Sequence, residues 1–210
     1  MFGIVHYEAF VLTAIMLNLI PGTDTMYIIS RSISQGRQAG ILSVLGILTG
    51  SLIHTVLAAF GLSLILAQSV VLFNIVKILG VAYLVYLGVR MFMTKEALSF
   101  DSTASPGRKA GKVYGQAIVT SVTNPKVALF FIAFLPQFVD ATHTGPLPFL
   151  LLGLTFTLTG GIWFSLVALF ASFVTQKLRN NPHFSSILNK LTGIVFIGMG
   201  LNLLRAKATP

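Results

Sequence analysis

Cysteine is absent from the 210 residues, which excludes disulfides, thiolate metal sites and thiol relays. Charge is nearly as scarce. Only 9% of residues are Asp, Glu, Lys or Arg, against about 25% in a soluble domain. Acids are scarcest of all, five in the whole chain. His6, His54, His143 and His183 are scattered, with no H-E-x-x-H pair. A nucleophile–base pair or a cluster of metal ligands is therefore not assembled in the sequence, and no cofactor is implied. No basic stretch precedes the first apolar segment, so that segment does not read as a cleaved signal peptide.

What is present is apolar length. Hydrophobic residues make up 55% of the chain and mean hydropathy is +0.88, the composition of an all-α integral membrane protein. In a soluble chain a net charge of +9 and a pI near 10.2 would suggest nucleic acid. Here the basic residues cluster between apolar stretches, where they orient the chain and meet anionic lipid headgroups, and no nucleic-acid partner is expected.

A spanning helix needs about 20 largely apolar residues. Six segments meet or approach this: Tyr7 to Ser30, Ile41 to Leu66, Val70 to Met93, Val113 to Leu135, Pro148 to Val174 and Ile187 to Leu204. The polar stretch Thr94 to Gly111 is the one plausible linker. It divides the chain into a first three-helix half (1–93), a cytoplasmic linker (94–111) and a second three-helix half (112–210). Three helices per half make the halves inverted relative to each other, if they are repeats. The first loop carries Arg31 and Arg37. The third carries Lys95, Arg108, Lys109 and Lys112, with Arg90 at its edge, and the fifth Lys177, Arg179 and Lys190. The N-terminus, second loop and fourth loop carry none. The odd loops are thus assigned to the cytoplasm and both termini to the outside. Arg205 and Lys207 run against that assignment and make the sixth segment its weakest part.

Two segments are interrupted. Pro21-Gly22 lies inside the first, followed by Thr23 and Asp24. Proline removes a backbone donor and glycine accepts unusual dihedrals, so the helix is expected to open there. The half-helix that follows presents free N–H groups suited to a carboxylate. Asp24 itself is expected to bind an ammonium group or carry a proton, since acids at membrane depth are rarely idle; the plainer alternative is a helix cap. Asn124-Pro125 in the fourth segment is a helix-start pattern halfway along an apolar stretch. Lys126 beside it either pairs with Asp24 or holds a substrate carboxylate, or else forms a structural pair or snorkels. Two broken segments in corresponding places, with opposite charges, fit a transport pathway for a ligand carrying both an amine and a carboxylate.

Other features are weaker. His54 either relays protons or hydrogen-bonds a neighbouring helix, the latter being commoner. Gly46 and Gly50 form a G-x-x-x-G pattern that allows close helix contact, and Gly153, Gly160 and Gly161 can do the same in the other half. Thr155, Thr157 and Thr159 face a cavity or bond their own backbone. Phe130, Phe131 and Phe134 suit packing, and Lys77 suits snorkelling.

At these residues the chain resembles the lysine exporter family, specifically its homoserine/threonine exporter branch (LysE/RhtB). The resemblance runs from Pro21-Gly22-Thr23-Asp24-Thr25 through Arg31, Gly36-Arg37-Gln38-Ala39-Gly40, Leu45-Gly46 and Gly50. It continues in the run Lys77 to Leu84, Tyr86-Leu87-Gly88, Asn124-Pro125-Lys126-Val127-Ala128 and Phe134-Leu135-Pro136-Gln137-Phe138. Thr23 departs from it, since the family more often has a second proline there; this softens the break without removing it. The resemblance implies a bacterial inner-membrane exporter of amino acids or close derivatives, coupled to the proton gradient. It also implies that Pro21, Gly22, Thr23, Asp24, Asn124, Pro125 and Lys126 line the pathway. A neutral, threonine- or homoserine-like substrate is favoured over a dibasic one, because the pathway holds one acid and one base. No P-loop is present, so ATP is not the direct driver. A membrane-embedded enzyme and a non-transporting subunit stand as alternatives, and homo-oligomerisation stays open.

Overall fold

The structure, a computed structural model, describes residues 2–64, 110–140 and 145–178, with scattered helical positions between 71 and 93. Most of the third segment with Lys77, the linker before Ala110, and the sixth segment with Arg205 and Lys207 lie outside the described residues. The described residues are helical and contain no strand, only an isolated antiparallel bridge between Ile4 and Val139. We number the helices α1 (Tyr7–Leu19), α2 (Thr23–Gln35), α3 (Arg37–Leu57), α4 (Ala110–Val122), α5 (Pro125–Leu129) and α6 (Leu147–Leu178). A π-helical turn, Ala58–Leu62, extends α3, and a π turn (Phe130–Phe134) and a 3-10 turn (Leu135–Phe138) extend α5.

Arg37–Leu62 and Leu147–Ala171 are each long and apolar enough to cross a membrane. The pairs α1–α2 and α4–α5, the latter with its extensions to Phe138, meet the same measure when each is taken as one span, bent by 48° and 46° at its break. Both breaks follow from proline. The residue before a proline is pushed out of the helical region, and both Ile20 (ψ 118°) and Asn124 (ψ 109°) are extended. Asn124 also caps α5, its Oδ1 accepting from the Lys126 backbone N–H at 3.0 Å.

Small residues set the helix spacing. A Cβ on Gly46 would lie 2.5 Å from the Ala117 Cβ, and one on Gly50 2.5 Å from the Ser121 Cβ, so this edge of α3 lies directly on α4. On α6, a Cβ at Gly153 would meet Thr55, one at Gly160 would meet Asn18 and one at Gly161 would meet Leu48.

The interior is layered. One apolar cluster holds Phe10 and Leu17 of α1, Ala58 and Leu62 beyond α3, Phe130 to Phe138 beyond α5, and Phe149 and Phe156 of α6. A smaller one holds Ile28, Val44, Ile47, Ala117, Phe164 and Ala168. Along every described span, buried polar residues lie between the two: Asn18, Asp24 and Thr25; Ser51, His54 and Thr55; Ser121, Asn124 and Lys126; and Thr157. Large apolar side chains such as Leu12, Met16, Leu45, Val56 and Leu158 are exposed on the outer faces, where lipid is the compatible solvent. At the end carrying the larger cluster, the chain before α1 is clipped to the chain after α5. Val5 N–H donates to Phe138 O and Asp140 N–H to Gly3 O, both at 2.9 Å.

Candidate functional site

The two breaks meet through Lys126. Pro21 has no N–H, so the Leu17 carbonyl loses its partner one turn ahead, and the extended turn at Ile20 to Gly22 frees the Ile20 carbonyl. Lys126 Nζ supplies both, donating to Leu17 O at 3.2 Å and to Ile20 O at 2.9 Å. The ammonium of the second break thus caps the C-terminal end of α1, where the helix dipole favours a cation. Its stem lies against Gly22: a Cβ there would be 3.3 Å from Nζ and 3.4 Å from Cε. A side chain at this position would press on the far end of the lysine.

Asp24 stands in the first turn of α2 and is 1% exposed. The Lys126 ammonium and the Asn124 amide lie near its carboxylate, the amide not at hydrogen-bond distance. The lysine gives its two hydrogen bonds to carbonyls rather than to the carboxylate, so the direct ion pair weighed from the sequence is not the arrangement found. Asp24 Oδ1, Asn124 Nδ2, Thr25 Oγ1 and Ser121 Oγ are all buried without a hydrogen-bond partner. Buried polar groups are normally satisfied. These four are not, and the unsatisfied Asp24 acceptor and Asn124 amide donor, near the Lys126 cation, have the chemistry to receive a zwitterion or a proton. Pro21, Gly22 and Thr23 form the turn that presents Asp24, and Pro125 fixes the turn that presents Lys126.

His54 is 8% exposed, with Nε2 3.3 Å from Ser121 O and its ring stacked on Phe131 at 5.6 Å. It joins α3 to the last turn of α4, and so abuts the Asn124 break. Thr155, Thr157 and Thr159 donate to carbonyls of their own helix at 2.9–3.0 Å. Two of them also tie α6 to α1: Tyr7 and Thr155 share a hydroxyl–hydroxyl bond at 3.0 Å, and Asn18 Nδ2 donates to Thr159 Oγ1 at 3.1 Å. Phe130, Phe131 and Phe134 lie in the aromatic stack with Phe10, Phe138 and Phe156.

Sequence reasoning assigned no role to Asn18, Thr25, Ser121 or Gln116, although Asn18 opens the stretch that leads into the first break and Thr25 closes its motif. The signal was available for two of them: Thr25 shares the first turn of α2 with Asp24, and Ser121 lies three residues before Asn124. Asn18 and Gln116 take their places from contacts with α6 and α2, which spacing alone does not reveal.

Comparison with known proteins agrees with this architecture. The family described as LysE type translocator matches residues 15–207. A Bacillus subtilis membrane protein, YrhP, is 32% identical over 201 residues, covering 92% of this chain and 95% of its own. Leucine efflux protein of Salmonella typhimurium is 31% identical over 207 residues, covering 96% of both chains. Leucine efflux protein of Klebsiella pneumoniae is 31% identical over 206 residues, again covering 96% of both. No solved structure gives a significant match. An all-helical membrane chain matched almost end to end by one translocator family belongs to it: this protein is a member of the LysE type translocator family.

Proposed function

We propose that the chain is a secondary exporter of neutral amino acids in the bacterial inner membrane, driven by the proton gradient. In this reading six spans form two inverted three-helix halves (1–93 and 112–210) about a cytoplasmic linker (94–111), with both termini outside. One half rocks or gates against the other, exposing the polar layer to each side in turn. Asp24 takes the substrate amine or the coupling proton, which makes the two compete. The helix ends at Thr23 and Pro125, with the remaining N–H of Lys126, take the carboxylate. His54 lies near enough to the Asn124 break to pass a proton to the layer. Leucine is the first substrate to assay, because the leucine efflux proteins are relatives over nearly the whole length.

The observation that carries this reading is the pair of bent helix breaks with Asp24, Asn124 and Lys126 buried around them. Asp24→Asn keeps the shape and removes the charge. In everted vesicles or proteoliposomes we expect it to lose gradient-driven transport while still inserting and running as a folded species. Transport at the wild-type rate by that variant overturns the assignment.

A further inference from the structure

Arg31 is a second interior cation, and the function proposed above leaves it without a role. It lies on α2 seven residues after Asp24, two turns or about 10 Å along the axis. It is 7% exposed. Its Nη2 donates to Gln116 Oε1 of α4 at 2.8 Å, and its guanidinium carbon stands 5.0 Å from the centroid of the Tyr27 ring. Tyr27 in turn donates from its hydroxyl to Val113 O at 2.9 Å. Gln116 lies eight residues before Asn124 on the other broken span. The fork is therefore held about two turns from both breaks, beside the smaller apolar cluster against which Tyr27 packs, on the side that carries Arg37.

A guanidinium presents its donors as a planar fork matched to the two oxygens of a carboxylate. Here one arm rests on a neutral amide, while Nη1 is buried with no partner. Among the described residues no carboxylate pairs with Arg31. Burying a charge without a counter-ion is expensive, and a tie between α2 and α4 needs only the bond to Gln116. An interior cation with one arm left unpartnered has the character of a receptor for an anion.

We infer that Arg31, held by Gln116 and Tyr27, is a carboxylate-capture subsite on the cytoplasmic side of the Asp24 layer. The inference rests on the exporter reading and deepens it. A zwitterion approaching Asp24 from the cytoplasm brings a carboxylate toward a carboxylate. Arg31 holds that negative end first, so that the amine leads into the layer.

Reconstituted protein with its cytoplasmic face accessible tests this through counterflow of radiolabelled leucine, competed by leucine and by leucinamide, which keeps the amine and lacks the carboxylate. Losing one charged hydrogen-bonded contact is worth about tenfold or more in affinity. Arg31→Gln should therefore weaken leucine as a competitor by about that factor and leave leucinamide within about twofold. Gln116→Glu is the second variant: it places a permanent carboxylate beside the fork, keeps the tie between α2 and α4, and should weaken leucine in the same selective way without lowering the melting temperature. Equal loss for both competitors in the variant that folds, or no loss for leucine in Gln116→Glu, reduces Arg31 to a structural tie and overturns the inference. If the wild type moves no neutral amino acid, the exporter reading itself fails, a separate result visible before any variant is made.

Discussion

At the residue scale, the joint between the two broken spans is one lysine standing in for two missing amide hydrogens. Replacing Lys126 with Gln leaves the Leu17 and Ile20 carbonyls short of donors in the interior. Each buried unpaired group costs about 1–3 kcal/mol, so a clear fall in melting temperature is expected in detergent. The cause can be isolated. Pro21→Ala lets α1 run on into α2, and the helix then supplies N–H groups to both carbonyls. Lys126→Gln should therefore hurt less in a Pro21→Ala background than in the wild type, with a coupling of about 1–2 kcal/mol. Additive effects in this double-mutant cycle would refute the capping role. The same joint shows how far local signals reach. Pro21 and Asn124-Pro125 announce their breaks because proline acts on its immediate neighbours. The destination of Lys126 was not legible, because its acceptors are 106 and 109 residues away in the chain. Arg31 and Gln116, 85 residues apart, were hidden for the same reason, as was the contact of His54 with Ser121 O.

At the element scale, helix spacing is set by hydrogen atoms where other helices carry side chains. Apolar surface gains little by leaving lipid for protein, so close backbone approach and dispersion contacts hold such helices together. Gly46 and Gly115 make a clean contrast. A Cβ at Gly46 meets the Ala117 Cβ and the Tyr114 carbonyl, each at 2.5 Å, whereas one at Gly115 meets nothing within 4 Å. Gly46→Ala should push α3 off α4 and lower stability by about 1–3 kcal/mol. Gly115→Ala should be neutral or stabilising by up to about 1 kcal/mol, the helix propensity gained over glycine. Thermal melts of the two variants in one detergent check the pair, and a fall of equal size in both would mean that crowding at Gly46 is not the cause. The G-x-x-x-G spacing was visible in the sequence, but it names a surface and not a partner. That the partner is α4, carrying Ser121 beside the break, came only with the fold.

At the scale of the whole molecule, a polar layer lies between two apolar plugs, and the plugs are unequal. The larger is built of phenylalanines from α1, α5 with its extensions, and α6, and it is closed from above by the clip between residues 3–5 and 138–140. That clip joins the chain before the first broken span to the chain after the second. Any motion that opens the larger plug by separating these spans must first part Ile4 from Val139. Directly opposed residues in an antiparallel bridge have Cα atoms about 4.5–5.5 Å apart, within the range a disulfide spans. A chain with no native cysteine allows the experiment without background thiols. Ile4→Cys with Val139→Cys should cross-link under mild oxidation, stop transport, and recover on reduction, while either single variant transports normally in both conditions. A fully cross-linked protein that still transports would place the opening at this end elsewhere and leave the clip a static brace. Within the exporter reading proposed above, arrest by the cross-link, combined with retained leucine competition at the face opposite the clip, would mean that the locked form still takes substrate from that side and fails only at release. That is the behaviour expected if the polar layer opens to one side at a time.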